Sequence, residues 1–117
     1  MMSRGQKPPT KQECARIDRL RILGCICCRL TFGQYHPCEE IHHIVKGGKR
    51  LGHWFTLPLC RLHHQGRAKS GFWTSIAQGS KAFAAVHGTE IDLWMKCQHM
   101  LELSDELPIS KRVPRAA

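Results

Sequence analysis

No apolar run in the 117 residues reaches the roughly 18 that a membrane-spanning helix requires. That excludes a helical membrane protein. The opening "MMSRGQKPPT" has no apolar stretch of the kind a secretion signal carries, so a cytoplasmic protein is expected. Internal repeats and low-complexity tracts are also missing, which excludes a repeat architecture. Acidic side chains are few, nine against 18 Lys and Arg, leaving a net charge of +9. The length leaves no room for a second independent core. A chain of this size buries roughly two-thirds of its unfolded surface, a core thin enough that a structural metal would help it.

What is present is concentrated. Residues 1 to 72 carry 13 basic and four acidic side chains, whereas residues 73 to 117 carry five of each. Charge gathered in one part of the chain points to a polyanionic partner, most simply nucleic acid. The seven cysteines are Cys14, Cys25, Cys27, Cys28, Cys38, Cys60 and Cys97. Without a secretion signal they argue against a disulfide framework and for metal ligation.

Periodicity predicts a helix over "TKQECARIDRLRIL", capped by Thr10, with Ile17, Leu20 and Leu23 on one face and Gly24 as its stop. "CICC" reads as a short knuckle and "LTFGQYHPC" as loop. "EIHHIV" has strand composition, "KGGKRLG" is a turn, and "HWFTL" is the returning strand closed by Pro58, giving a hairpin over 39 to 57. A helix is expected from Leu62, then an irregular stretch from 66 to 80. Two more helices follow. One is bounded by Ser80 and Gly88, the other by Thr89 with Asp92 in a capping box and Ile91, Trp94, Met95 and Met100 as its apolar contacts.

Cys25-x-x-Cys28 and Cys60-x-x-His63 have the spacing of two zinc knuckles, each offering two ligands to one tetrahedral ion. Cys27 and Cys38 are possible substitutes in that shell, while Cys14 and Cys97 read as buried thiols on helices. If His63 closes a structural zinc site, His64 is free to face another way. The hairpin brings His42 or His43 opposite it. Strand residues alternate faces, so His42 and His43 enter one site only through a bulge or bend. His36, His87 and His99 read as structural or surface residues. Lys46, Lys49, Arg50, Arg61, Arg67 and Lys69 flank this region and are expected to contact phosphates. Trp54, Phe55, Phe72 and Trp73 are read as core, with base stacking as the other option.

The order Cys-x-x-Cys, His-His, Gly-rich turn, His, Cys-x-x-His-His resembles an HNH endonuclease of the ββα-metal type. More narrowly, "LGCICC", "EIHHIV", "GGKRLGHWFTLPLCRLHHQG" and "AFAAVHGTE" are similar to the phage recombination-enhancement nuclease (Ref) family, across residues 22 to 94. The resemblance implies an α+β fold: a small zinc-stabilised ββα-metal domain with flanking helices over 13 to 104. It would lie between a disordered basic tail (1 to 12) and a flexible C-terminal tail (105 to 117).

It also implies a cytoplasmic, phage- or prophage-encoded enzyme that hydrolyses DNA phosphodiesters in recombination, with the RecA filament as a partner. On this chain His43 would be the general base, His42 and His64 would hold a catalytic Mg²⁺ or Mn²⁺, and His53 would orient the loop from the motif's middle position. Two departures stand out. His53, or alternatively Thr56, stands at the middle position in place of the expected Asn, and Ala68 stands where many such enzymes have a third metal ligand. Glu40 is placed to assist from the strand. The competing expectation is a zinc-binding, DNA-binding protein without catalysis.

Overall fold

The computed structural model describes residues 7–67, 71–106, 108, 110 and 113. Among the described residues the architecture is α+β: five α-helices around two short antiparallel strand pairs. Among the described residues no helix is long and apolar enough to cross a membrane.

The first helix, α1 (Lys11–Leu23), starts where Thr10 accepts a hydrogen bond from the Glu13 amide while the Glu13 carboxylate takes one from the Thr10 amide. This reciprocal pair satisfies two otherwise orphaned donors. The helix starts where its sequence anticipates, directly after Thr10. Gly24 ends it at φ 87°. A Cβ there would lie 2.5 Å from the His36 carbonyl oxygen, the same oxygen that accepts from the Cys25 amide. Glycine is thus required on both counts.

Residues expected as a knuckle and loop instead form α2 (Ile26–Phe32), capped by the Cys25 sulfur on the Cys28 amide. The expected hairpin is broken into two pieces. Strand β1 (Ile41–His43) pairs with β4 (Thr56–Pro58), and β2 (Val45–Lys46) pairs with β3 (Lys49–Arg50). Ile44, buried between the pieces, donates to Phe55 and accepts from Leu51. The β2–β3 turn is Gly47-Gly48, both at positive φ, as a tight primed turn requires. Pro58 closes β4 as anticipated, and it is still paired there, opposite Ile41.

After β4, α3 (Arg61–Gln65) begins with Cys60 as N-cap. The irregular stretch contains two 3-10 turns, Gly71–Trp73 and Ile76–Gln78. Then come α4 (Ser80–His87) and α5 (Glu90–Glu106). Thr89 accepts from the Asp92 amide at the start of α5, as its sequence anticipates. The buried stripe of α5 is Leu93, Cys97 and Leu101, spaced i, i+4, i+8. Trp94 and Met100 flank it, but Ile91 and Met95 are exposed, so the apolar face is rotated from the expected one.

Leu20, Ile26, Leu57, Leu59, Phe83 and Leu93 form the centre of the core. Into it comes a charge. Arg16 is 5% exposed and lies i−4 from Leu20, on the apolar face of α1. Its guanidinium donates to Gln98 Oε1 at 2.9 and 2.7 Å and to Thr56 Oγ1 at 3.0 Å, tying α1 to α5 and β4. The Trp54 and Trp94 rings lie 5.6 and 5.5 Å from it. Burial pulls its pKa down to about 10, still charged at neutral pH.

Candidate active site

Two helix starts build the metal centre. Cys25 is the N-cap of α2 and Cys28 follows three residues on; Cys60 is the N-cap of α3 and His63 follows three residues on. In each case the cap and the third helical residue project to the same side, one turn apart. Their donor atoms lie within 4.8 Å of one another. His63 Nδ1 is 3.5, 3.6 and 3.2 Å from the sulfurs of Cys25, Cys28 and Cys60, and the Cys28 and Cys60 sulfurs are 3.8 Å apart. A tetrahedral ion with bonds near 2.3 Å to sulfur needs ligand separations of about 3.7 Å. These four residues can hold a metal such as zinc.

The surroundings suit that role. His63 Nε2 donates to the Phe72 carbonyl at 2.9 Å, which leaves the Nδ1 lone pair for a metal among the sulfurs. Trp73 stacks on the His63 ring at 4.9 Å. Hydrogen bonding from Cys27 drops the Cys25 thiol to about 3, whereas burial and the Cys25 charge push Cys28 and Cys60 up. A divalent cation removes that mutual repulsion. Cys27 and Cys38 are buried beside the quartet but do not belong to it; Cys38 donates to the Glu40 carbonyl. Cys97 is buried as anticipated, whereas Cys14 is exposed.

His64, next along α3, faces elsewhere. Its Nδ1 is 2.9 Å from Glu40 Oε1, which also accepts from Gln65 at 2.8 Å. Its ring lies 5.4 Å from that of His42 on β1. His42 Nε2 in turn is 3.4 Å from Glu90 Oε2 at the start of α5. Nothing in local spacing connects Glu90 with His42, 48 residues away, and in the sequence it reads only as helix-start charge.

His43 points to the other side of β1. Its Nε2 is 3.0 Å from His53 Nδ1, and His53 Nε2 is 2.7 Å from the Lys7 carbonyl oxygen. A carbonyl only accepts, so His53 Nε2 carries hydrogen. With both rings neutral, His53 Nδ1 then accepts, His43 Nε2 donates, and His43 Nδ1 keeps its lone pair. Burial first, then the Arg50 charge and the neighbouring imidazoles, lower the His43 pKa to about 4, so the ring is neutral at neutral pH.

Of the six basic residues, Lys46, Lys49, Arg50, Arg61 and Arg67 are exposed; Lys69 and the Ala68 position lie outside the described residues. The aromatics correct the expectation of core. Trp54, Phe72 and Trp73 are 40%, 62% and 39% exposed, and only Phe55 is partly buried, stacked on Trp94. His87 is buried and donates to the Thr74 carbonyl, while His36 and His99 are exposed.

No curated protein matches this chain. A family described as "Recombination enhancement, RecA-dependent nuclease" matches over residues 9–102, which takes in both histidine groups and the Cys/His quartet. The chain belongs to that recombination-enhancement, RecA-dependent nuclease family.

Proposed function

We propose that the chain is a metal-dependent DNA endonuclease of the HNH, ββα-metal type, in which the order β1–β4–α3 supplies the motif and zinc in the Cys25–Cys28–Cys60–His63 site holds it together. The observation that carries this reading is the division of the tandem histidines: His63 among three sulfurs, His64 turned to His42 across 5.4 Å. Two imidazoles with carboxylates beside them form a donor set suited to a divalent ion. His42 and His64 hold Mg²⁺ or Mn²⁺, and Glu40 fixes the His64 ring from behind through Nδ1. Such an ion, when bound, supplies charge to a phosphate and its leaving oxygen.

His43 removes the proton from the attacking water at Nδ1. His53 and the Lys7 carbonyl set that tautomer through Nε2. In this respect His53 does the orienting work expected of the motif's middle residue. Lys46, Lys49, Arg50, Arg61, Arg67 and Lys69 receive DNA phosphates, a contact without sequence preference. The family's tie to RecA makes a RecA–DNA filament the setting in which cleavage occurs.

Nicking of supercoiled plasmid and cleavage of RecA-coated DNA, each with Mg²⁺ or Mn²⁺, test the reading. Metal-dependent cutting is the expected result. DNA binding without cutting, in the presence of RecA and either ion, overturns it.

A further inference from the structure

We infer that Glu90 is the third protein ligand of the catalytic ion, supplied from the start of α5 and not from α3. The inference rests on the proposed ion site at His42 and His64.

Two carboxylates flank these histidines, and their geometries differ. Glu40 Oε1 is engaged at 2.9 Å with His64 and 2.8 Å with Gln65, distances of committed hydrogen bonds. It is bound to the rear of the His64 ring. Glu90 Oε2 stands 3.4 Å from His42 Nε2, and Glu90 Oε1 stands 3.4 Å from the Ser80 hydroxyl. A charge-assisted N–H···O⁻ bond closes to about 2.7–2.9 Å. Neighbouring ligands around a divalent ion with bonds near 2.1 Å sit about 3 Å apart. At 3.4 Å the His42–Glu90 contact is longer than a closed hydrogen bond and lies within about half an ångström of that ligand spacing.

Burial supports the same assignment. The side chains of Glu90 and His42 are only 14% and 15% exposed, so this carboxylate is removed from most of its water. A largely desolvated carboxylate with 3.4 Å contacts on both oxygens is poised for a cation. It stands in the first turn of α5, where the unpaired helix N–H groups attract negative charge. Three protein ligands leave positions for water and a phosphate oxygen around a divalent ion. The ligand thus comes from a helix outside the β1–β4–α3 unit. The chain then needs none at the Ala68 position, four residues after His64.

Mn²⁺ binding tests this without reference to activity. The full chain, carrying its Cys/His-bound ion, is titrated with Mn²⁺ and the free ion is followed by electron paramagnetic resonance. Wild type is expected to bind one Mn²⁺. Glu90→Gln is expected to weaken that binding by at least about tenfold, with bound zinc and melting temperature unchanged. Glu90→Asp keeps the charge at the helix start but withdraws it by one methylene, and should also bind Mn²⁺ more weakly. Wild-type Mn²⁺ affinity in either folded variant overturns the inference. If His64→Ala nevertheless loses Mn²⁺, the site at His42 and His64 stands and only the role of Glu90 falls. If wild type itself binds no Mn²⁺, both fall.

Discussion

His63 and His64 are consecutive on α3 yet serve different neighbours: His63 Nδ1 sits 3.2 Å from the Cys60 sulfur, and His64 Nδ1 sits 2.9 Å from the Glu40 carboxylate. Adjacent helical positions diverge by about 100° around the axis, so a tandem pair can feed two sites from one short helix. The same division occurs on β1, where pleating sends His42 toward Glu90 and His43 toward His53.

Removing a ligand of the quartet should unfold the link between α2 and α3. Cys28→Ser is expected to lower bound zinc from one per chain toward none. Its melting temperature should fall by more than about 10 °C, since metal-binding energy at such a site is folding energy. Elemental analysis and thermal melts check this. A folded, zinc-free wild type would contradict it.

Arg16 offers a stability test read by melting and not by cleavage, since the Thr56 it binds pairs with His43 and donates to the His53 carbonyl. Arg16→Met keeps the aliphatic stem but leaves Gln98 Oε1 and Thr56 Oγ1 without their donor. The expected loss is about 2–3 kcal/mol, read as a drop of roughly 10 °C in melting temperature. Arg16→Lys should recover little, because one ammonium cannot span the acceptors on β4 and α5.

The exposed basic residues should govern DNA affinity and its salt dependence. Lys46→Ala and Arg67→Ala are each expected to weaken binding on all sequences alike and to reduce the slope of log affinity against log salt by about one. Fluorescence anisotropy at several salt concentrations measures both. Affinity indifferent to salt would rule out the phosphate contacts.

Local rules were legible where the cause is local. The cap at Thr10, the stop at Gly24, the turn after Lys46 and the paired knuckles follow from residues within a few positions of each other. Elements whose cause is remote were not. The hairpin breaks because Ile44 is drawn into the core, and α2 extends past its knuckle because the Phe32 ring packs on Trp73, 41 positions on. The rotated face of α5 has the same origin, since Leu93 and Cys97 must meet a core whose shape no window of α5 records. In the candidate site the histidines were visible as tandem pairs. Their partners Glu90 and Lys7 were not, because each arrives from another element; for Arg16, spacing i−4 and i−7 from Leu20 and Leu23 was the overlooked signal.

The contact from Lys7 to His53 is made by the backbone. Lys7→Ala should therefore leave the cleavage rate at saturating DNA unchanged. Deleting residues 1–9 should lower it about tenfold, because His53 loses the acceptor that sets its tautomer. Thr10 and its cap on α1 remain in the shortened chain, so the melting temperature should hold. Equal rates in the deleted and full-length chains would show that the carbonyl does not matter.

The test of His43 separates chemistry from folding. Its ring is half-buried beside His53, so a purely structural role would lower stability on truncation, with activity falling only as the folded fraction falls. A general base behaves otherwise. His43→Ala should keep zinc, melting temperature, DNA affinity and Mn²⁺ binding, and lose cleavage by roughly a hundredfold or more. Raising Mn²⁺ should not restore the rate, because added cation cannot accept the proton of water. His64→Ala, by contrast, should lose ion affinity, and higher Mn²⁺ should recover part of its activity. His53→Ala falls between the two: the base remains but its tautomer is no longer fixed, and a loss of about tenfold is expected with unchanged ion affinity. Single-turnover cleavage over a Mn²⁺ series distinguishes the three variants. A fully active, normally folded His43→Ala protein would remove His43 from the mechanism.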